Sequence, residues 1–362
     1  MRTMAIRVLL AIGVASVAAG SSSDPTPTPS SPGIRISFDF QAAEAVLDAL
    51  SGITAADVHA LARLPGNARV IEHQHLFDPT ATAERFEETL KMACRGGKSD
   101  SDTFQWGRVT GRLAATRALL ARIRAHPEEL SGEIQARLAR YTPRDLAIRV
   151  QVFFVVGGTS DGFSDGDVFC IALDYFRDDY AGLRTLMAHE LFHVAYDAIP
   201  RPGTPAAPEE VARALTLMEH TMNEGIASRV GDPMAVTDGK AWIEWFQGKF
   251  QKNFERMGPN FALFDTILYR EFYDPDAPVE TLYQIGFTGS YDSALYFVGY
   301  EMARVLEETD GPEAVARALP QPPLRFFERY DAIARGPGRV TFRFGASTRE
   351  ILRRCAVAAA AR

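Results

Sequence analysis

The chain has 362 residues, of which 46% are hydrophobic, 10% aromatic and 23% charged. This length suggests one large or two ordinary domains, and the apolar content is sufficient for a hydrophobic core, which excludes a fibrous, collagen-like or wholly disordered protein. The formal net charge of −7 shows no basic excess, which argues against nucleic acid as a partner.

The first residues predict an export signal that is not part of the fold. Residues 1–20 combine two arginines, a short apolar segment and small residues at its end, as a signal peptide does. The apolar segment, residues 8–19, is too short for a comfortable transmembrane helix, although an uncleaved membrane anchor is the alternative. Ser21 stands where a lipoprotein signal carries its lipidated cysteine, so lipidation is not supported. Residues 21–33 are a Ser/Thr/Pro linker, and we expect a secreted or periplasmic protein with no stable membrane anchor after cleavage.

The remaining sequence divides into three regions. Residues 34–145 show apolar residues at helical spacing and predict an N-terminal helical region. Residues 146–235 begin with two β-branched apolar segments, 148–156 and 168–173, which predict either a hairpin or two sheet strands joined by a glycine-rich loop. Residues 236–362 are again mostly helical. The predicted fold class is therefore α+β, mainly helical, with a small β-sheet.

An HExxH motif stands at His189–His193, in a segment that predicts a buried helix with Asp178 or Asp179 as its N-cap. Histidines four positions apart lie on one face of a helix, so both can bind a single Zn²⁺ at about 2.0–2.1 Å. Glu190 is rotated around the helix and can face a metal-bound water without being a ligand, as a general base must. Because the motif also arises by chance, the interpretation needs a third ligand.

The third ligand is predicted on a helix over residues 209–229. Glu224 is followed by Gly225, which costs about 1 kcal/mol relative to alanine inside a helix. A close approach of the HExxH helix would explain this glycine and would place the Glu224 carboxylate against the histidine pair. The alternative ligands are His220, one turn before Glu224, and Asp197, one turn after His193. If they do not bind the metal, they would instead orient a residue that does.

An HExxH motif followed by NEGxA, here Asn223–Ala227, resembles the gluzincin metallopeptidases, the broad group that includes thermolysin. More narrowly, it resembles uncharacterised bacterial zinc-dependent peptidases. The resemblance is specific over residues 146–230 and looser over 280–311, and it departs from the family in the long proline-rich segment 199–208 between the metal helices. It implies a zincin-like catalytic core over residues 146–235 that acts on a peptide or protein substrate.

The resemblance also implies the roles of particular residues. His189, His193 and Glu224 would bind zinc, and Glu190 would activate water and later pass the proton to the leaving amine. Many gluzincins have a tyrosine or histidine that stabilises the oxyanion, and Tyr296, and after it Tyr300, would take that role here, although both could equally be core residues. The strand predicted over 168–173 would lie above the zinc, where an open edge could pair with an extended peptide.

Other chemistries have little support in the sequence. There is no Walker A or GxSxG motif, and three cysteines cannot form a complete disulfide framework. His73 and His75 could bind metal but have no accompanying carboxylate or cysteine motif, so we interpret them as surface or partly buried residues. The sequence therefore predicts an exported zinc metallopeptidase. The alternatives are a secreted helical binding or scaffold protein with a structural or degenerate metal site, and a zinc hydrolase of non-peptide amides or esters.

Overall fold

A computed structural model describes most of the chain beyond the predicted signal peptide. The described residues are 33–52, 57–97, 102–166, 168–202, 207–336 and 340–360. The predicted signal peptide and all but the last residue of the predicted linker lie outside these ranges. Within them the fold is α+β and mainly helical with one small sheet, which confirms the predicted fold class.

The described ranges contain four strands and sixteen α-helices. The strands are β1 (Ile34–Asp39), β2 (Ile148–Val155), β3 (Gly162–Asp165) and β4 (Val168–Ala172). The helices are α1 (Gln41–Leu50), α2 (Val58–Ala62), α3 (Pro65–His75), α4 (Ala83–Cys94), α5 (Trp106–Gly111), α6 (Leu113–Ala125), α7 (Pro127–Tyr141), α8 (Tyr180–Asp197), α9 (Glu209–Val230), α10 (Ala241–Glu255), α11 (Met257–Tyr273), α12 (Val279–Phe287), α13 (Ala294–Asp310), α14 (Ala314–Ala318), α15 (Pro323–Arg335) and α16 (Ala346–Ala360).

The sheet has the strand order β1-β2-β4-β3. The two strands predicted from the sequence, β2 and β4, are parallel, and β3 lies between them in the chain and forms an antiparallel hairpin with β4. Every residue of β4 is buried, as expected for a strand with neighbours on both sides and covered faces. The open edge beside the later helices is therefore β3, whereas the sequence analysis considered the segment that forms β4 for this role.

The first strand corrects the prediction that residues 34–145 form a helical region, because residues 34–39 are a β-strand. Ile34, Ile36 and Phe38 alternate with polar residues, which is the two-residue period of a strand. β1 runs parallel to β2, with Ile34 opposite Ile148, so the N-terminal region contributes to the same sheet as the segment that precedes the HExxH helix. The apolar helical segments that follow β1 had obscured this short alternation.

The buried carboxylate of Asp179 accepts hydrogen bonds at the starts of two helices. Asp179 is the N-cap of α8, where its Oδ1 accepts a hydrogen bond from the Gly182 backbone N–H at 2.9 Å. Its Oδ2 accepts from the backbone N–H groups of Lys240, Trp242 and Ile243 at 3.0, 3.1 and 2.9 Å, at the start of α10. Of the two aspartates predicted as N-caps of the HExxH helix, the structure selects Asp179.

Helices α9 and α13 cross at a pair of glycines. A Cβ added to Gly225 would lie 2.2 Å from the backbone carbon of Gly299, and one added to Gly299 would lie 1.9 Å from the carbonyl oxygen of Thr221. The predicted close approach at Gly225 is therefore present, but its partner is α13 and not the HExxH helix, which corrects the sequence interpretation. The glycine that closely approaches α8 is Gly231, beyond the end of α9, where a Cβ would lie 2.9 Å from that of His189.

None of the three cysteines forms a disulfide, and Cys94 is exposed whereas Cys170 and Cys355 are buried. Apolar packing and polar networks therefore hold the described fold without disulfides. In the described parts of the chain, no helix combines the length and the apolar character needed to cross a bilayer.

Candidate metal centre

Three side-chain donor atoms from α8 and α9 converge on one point. The Nε2 atoms of His189 and His193 are 3.2 Å apart, and they lie 3.5 and 3.4 Å from Glu224 Oε2. Neighbouring ligands of a tetrahedral zinc ion with bonds of about 2.0–2.1 Å are about 3.3–3.4 Å apart. The three donors therefore already have the spacing that a single zinc ion requires, and they form a group able to hold a metal ion.

Burial and the negative charge of Glu224 favour a bound cation at this cluster. All three side chains are buried, and Glu224 Oε2 has no hydrogen-bond partner among the described residues. Burial opposes ionisation of Glu224, but His193 and His189 hold its pKa well below the usual range. Burial likewise opposes protonation of His193, yet Glu224 raises the pKa of that imidazole. Because a metal ligand must be deprotonated, a metal that binds here would take the place of the proton.

The helical spacing and one hydrogen bond orient the three donor atoms toward a common point. His189 and His193 are one turn apart on α8, and Glu224 faces them from α9. His193 Nδ1 lies 3.1 Å from Asn223 Oδ1, so the ring donates from Nδ1 and keeps the Nε2 lone pair for a metal. The sequence analysis did not assign this orienting role to Asn223. The signal was its position directly before Glu224, because an amide oxygen there can reach the second histidine.

Glu190 is buried beside the cluster but is not one of its three donors. Its charge contributes to the raised pKa values of His193 and Tyr296, so its carboxylate acts electrostatically on both side chains. A carboxylate in this position can accept a proton from a water at the centre without occupying a coordination position.

The two candidate tyrosines on α13 lie in different environments. The Tyr296 ring is nearly parallel to that of His189, with centroids 6.2 Å apart, and burial followed by the charge of Glu224 raises the pKa of Tyr296 well above 10. The Tyr300 hydroxyl instead donates to Asp232 Oδ2 at 2.6 Å and accepts from Arg229 Nη1 at 2.8 Å. The structure thus brings Tyr296 to the centre and holds the Tyr300 hydroxyl in a separate polar network.

The alternative ligands lie outside the donor cluster. His220 packs its ring against Tyr283 and Phe287, with centroid distances of 5.3 and 5.8 Å, and burial lowers its pKa. Asp197 is exposed at the last position of α8. Three donors therefore come together, and neither His220 nor Asp197 supplies a fourth among the described residues.

Comparison with known proteins gives one match. The family described as "Putative zinc dependent peptidase (DUF5700)" matches residues 58–336. This range includes α8, α9 and α13 and therefore every donor and candidate residue of the centre. No curated protein and no solved structure matches the chain.

Proposed function

The chain belongs to the DUF5700 family, and from that premise we propose that it is a zinc-dependent metallopeptidase that hydrolyses peptide bonds with an activated water. The observation that carries the proposal is the triangle of His189 Nε2, His193 Nε2 and Glu224 Oε2, whose sides of 3.2–3.5 Å match the donor spacing of a zinc ion. Three protein ligands leave a fourth position for water, as catalytic zinc sites do.

The residues around the triangle fit the parts of a water-activating mechanism. Zinc held by His189, His193 and Glu224 would act as a Lewis acid and lower the pKa of a bound water. Glu190 accepts the proton from the attacking water and later donates it to the leaving amine. The hydroxyl of Tyr296, whose pKa is well above 10, remains protonated at neutral pH and donates to the oxyanion that develops on the substrate.

We place the protein more narrowly with the gluzincins, whose HExxH and NEGxA motifs it resembles. The supporting observation is the edge strand β3, which packs against α8 and is paired only with β4 among the described strands. An extended peptide can add to such an edge through backbone hydrogen bonds, which need little side-chain specificity. This would hold the scissile bond beside the metal centre.

We further propose that the protein is exported, with cleavage after residues 1–20 and a linker over residues 21–33. The support is the pattern of the first residues, with its two arginines, apolar segment and small residues. The proposed partner is a peptide or protein substrate and not nucleic acid, in keeping with the net charge of −7. Detection of the mature amino terminus in culture supernatant or periplasm tests this part of the proposal.

The decisive experiment measures zinc content and peptide-library cleavage together. We expect wild type to bind one zinc per chain and to cleave peptides, Glu190→Gln to keep its zinc but lose cleavage by about 100-fold or more, and Glu224→Gln to lose zinc. Glu209→Gln is the matched control, since Glu209 is exposed at the start of the same helix as Glu224. Unchanged cleavage in Glu190→Gln would refute the mechanism, and a wild-type protein that takes up no zinc would refute the site.

A further inference from the structure

The loop that joins β2 to β3, residues 156–161, is held by hydrogen bonds at five of its six residues. Residues 157–161 all take part in hydrogen bonds with groups outside the loop. The contacts are Gly157 N–H to Asp174 Oδ1 at 2.9 Å, Arg108 Nη2 to the Gly158 carbonyl at 2.6 Å, Thr159 N–H and Oγ1 to Gln74 Oε1 at 3.1 and 2.8 Å, Ser160 Oγ with His73 Nε2 at 2.9 Å, and Ala172 N–H to the Asp161 carbonyl at 2.9 Å. Such a loop presents its last side chain in one position.

That last side chain is a buried carboxylate with no ion-pair partner in the described parts of the chain. Asp161 is only 7% exposed and directly precedes β3, the edge strand that packs against α8. Among the described residues its carboxylate forms no ion pair, and the backbone N–H groups of Asp161 and Gly162 favour its ionised form. The positive charge of Lys249 lowers the pKa of Asp161, but its Nζ lies 4.6 Å from the centroid of the Trp245 ring and forms no ion pair with Asp161.

Asp161 lies at the start of the strand that packs against α8, the helix that carries His189, Glu190 and His193. The charge of Glu190 is the largest electrostatic influence on Asp161 after burial, and together they raise the pKa of Asp161 to about 6. A divalent ion held by Glu224 and two neutral histidines would leave one positive charge, which Glu190 would balance. Asp161 is then one carboxylate in excess, and burying an unpaired charge is costly unless a cation joins it.

We propose that Asp161 is a substrate-binding residue that receives an organic cation of the peptide, an ammonium or guanidinium group close to the scissile bond. The group is either the free amino terminus or a lysine or arginine side chain, since both present N–H donors with a positive charge. This inference rests on the proposed peptidase function. It adds a substrate class, because an anchored carboxylate at the start of the edge strand selects peptides that are cationic at that position.

Three peptides test the proposal on the full-length, zinc-loaded protein. They are pentaalanine amide with a free amino terminus, the same peptide N-acetylated, and the N-acetylated peptide with lysine at its centre. We compare kcat/KM for wild type, Asp161→Asn and Asp178→Asn, which removes the same charge from an exposed side chain. Binding of the three peptides to Glu190→Gln, measured by calorimetry, gives a readout that does not depend on hydrolysis.

We expect wild type and Asp178→Asn to favour at least one cationic peptide by about 10- to 100-fold over the acetylated neutral one. Asp161→Asn removes this preference, and which cationic peptide was favoured identifies the group that Asp161 binds. A wild type without preference, or a preference that survives in Asp161→Asn, would overturn the proposal. If Asp161→Asn does not fold, Asp161→Ser takes its place.

The two proposals fail differently. A zinc-loaded wild type that cleaves none of the peptides contradicts the peptidase function. Calorimetry on Glu190→Gln and on the Glu190→Gln/Asp161→Asn double variant still decides the role of Asp161. A preference for cationic peptides in Glu190→Gln that is lost in the double variant supports this role. Equal binding of the peptides by both variants refutes it.

Discussion

The glycine pair between α9 and α13 predicts a large effect from adding a single methyl group. In Gly299→Ala the new Cβ would lie 1.9 Å from the Thr221 carbonyl oxygen, whereas real Cβ atoms essentially never approach another heavy atom within 3.0 Å. The helices must therefore separate locally by at least 3.0 − 1.9, or about 1.1 Å. Overpacking of this kind costs about 1–3 kcal/mol or more, and the better helix propensity of alanine returns about 1 kcal/mol. We expect a net loss of about 2 kcal/mol in the free energy of unfolding.

The same separation should disturb the metal centre. Glu224 is adjacent to Gly225 on one helix, and Tyr296 is one turn before Gly299 on the other, so the crossing fixes the distance between a zinc ligand and the proposed oxyanion donor. Zinc affinity and cleavage should both fall in Gly299→Ala, by more than the stability loss alone would produce. Urea unfolding gives the stability, and competition with a chelating dye gives the zinc affinity.

Gly248→Ala is the matched control. Gly248 lies inside α10, and no heavy atom lies within 4 Å of a Cβ built there. The substitution should stabilise the protein by up to about 1 kcal/mol through helix propensity and leave zinc affinity unchanged. If Gly299→Ala behaves like Gly248→Ala, the close crossing of α9 and α13 is not what the glycines provide, and the reasoning is refuted.

Three further predictions concern single side chains. Asp179→Ala leaves the buried N–H groups at the starts of α8 and α10 without their shared acceptor, and it should lower the free energy of unfolding in urea by about 3–5 kcal/mol. Asp178→Ala removes only an exposed ion pair and should cost less than about 1 kcal/mol. Similar losses in the two variants would contradict the conclusion that Asp179 caps both helices. Burial raises the pKa of Glu271 from 4.5 to about 7, so its ionised form is disfavoured in the folded state and stability is lost as pH rises from about 4.5 to about 7. Glu271→Gln should therefore be more stable than wild type at pH 8, by up to about 3 kcal/mol, and equal to it below pH 4.5; a difference that does not vary with pH would contradict this. Asn223→Ala should weaken zinc binding by about 10- to 100-fold with little change in unfolding, because it removes only the partner of His193 Nδ1; unchanged affinity would show that this hydrogen bond does not orient the ring.

The parts that the sequence predicted well depend on local geometry. His189 and His193 share a face because they are one helical turn apart, and the N-cap at Asp179 is a neighbour of the helix that it begins. Glu224 could be proposed because a motif of five residues carries it. These features need only the chain within a few turns of the residue concerned.

The parts that the sequence did not predict depend on distant partners. Gly225 shows that some backbone comes close, but nothing near it in the chain identifies Gly299 as that backbone. Likewise, which strand is the edge of the sheet is decided by pairing between segments, and the apolar character of β4 fits a central strand as well as an edge. Tyr296 and Tyr300 share a helix face, and only the position of Asp232 separates their environments.

The parallel pairing of β1 with β2 has a consequence for how the chain folds. Ile34 pairs with Ile148, so 148 − 34 = 114 residues must be made before β1 meets its partner. At synthesis rates of about 5–20 residues per second, the strand waits for about 6–23 seconds with its backbone groups unpaired. Parallel, non-local pairing is also slow to form once both strands exist. The sheet can therefore form only after residue 148 has been made, so α1 and α7, which pack against β2 and β1, reach their final packing only after that point.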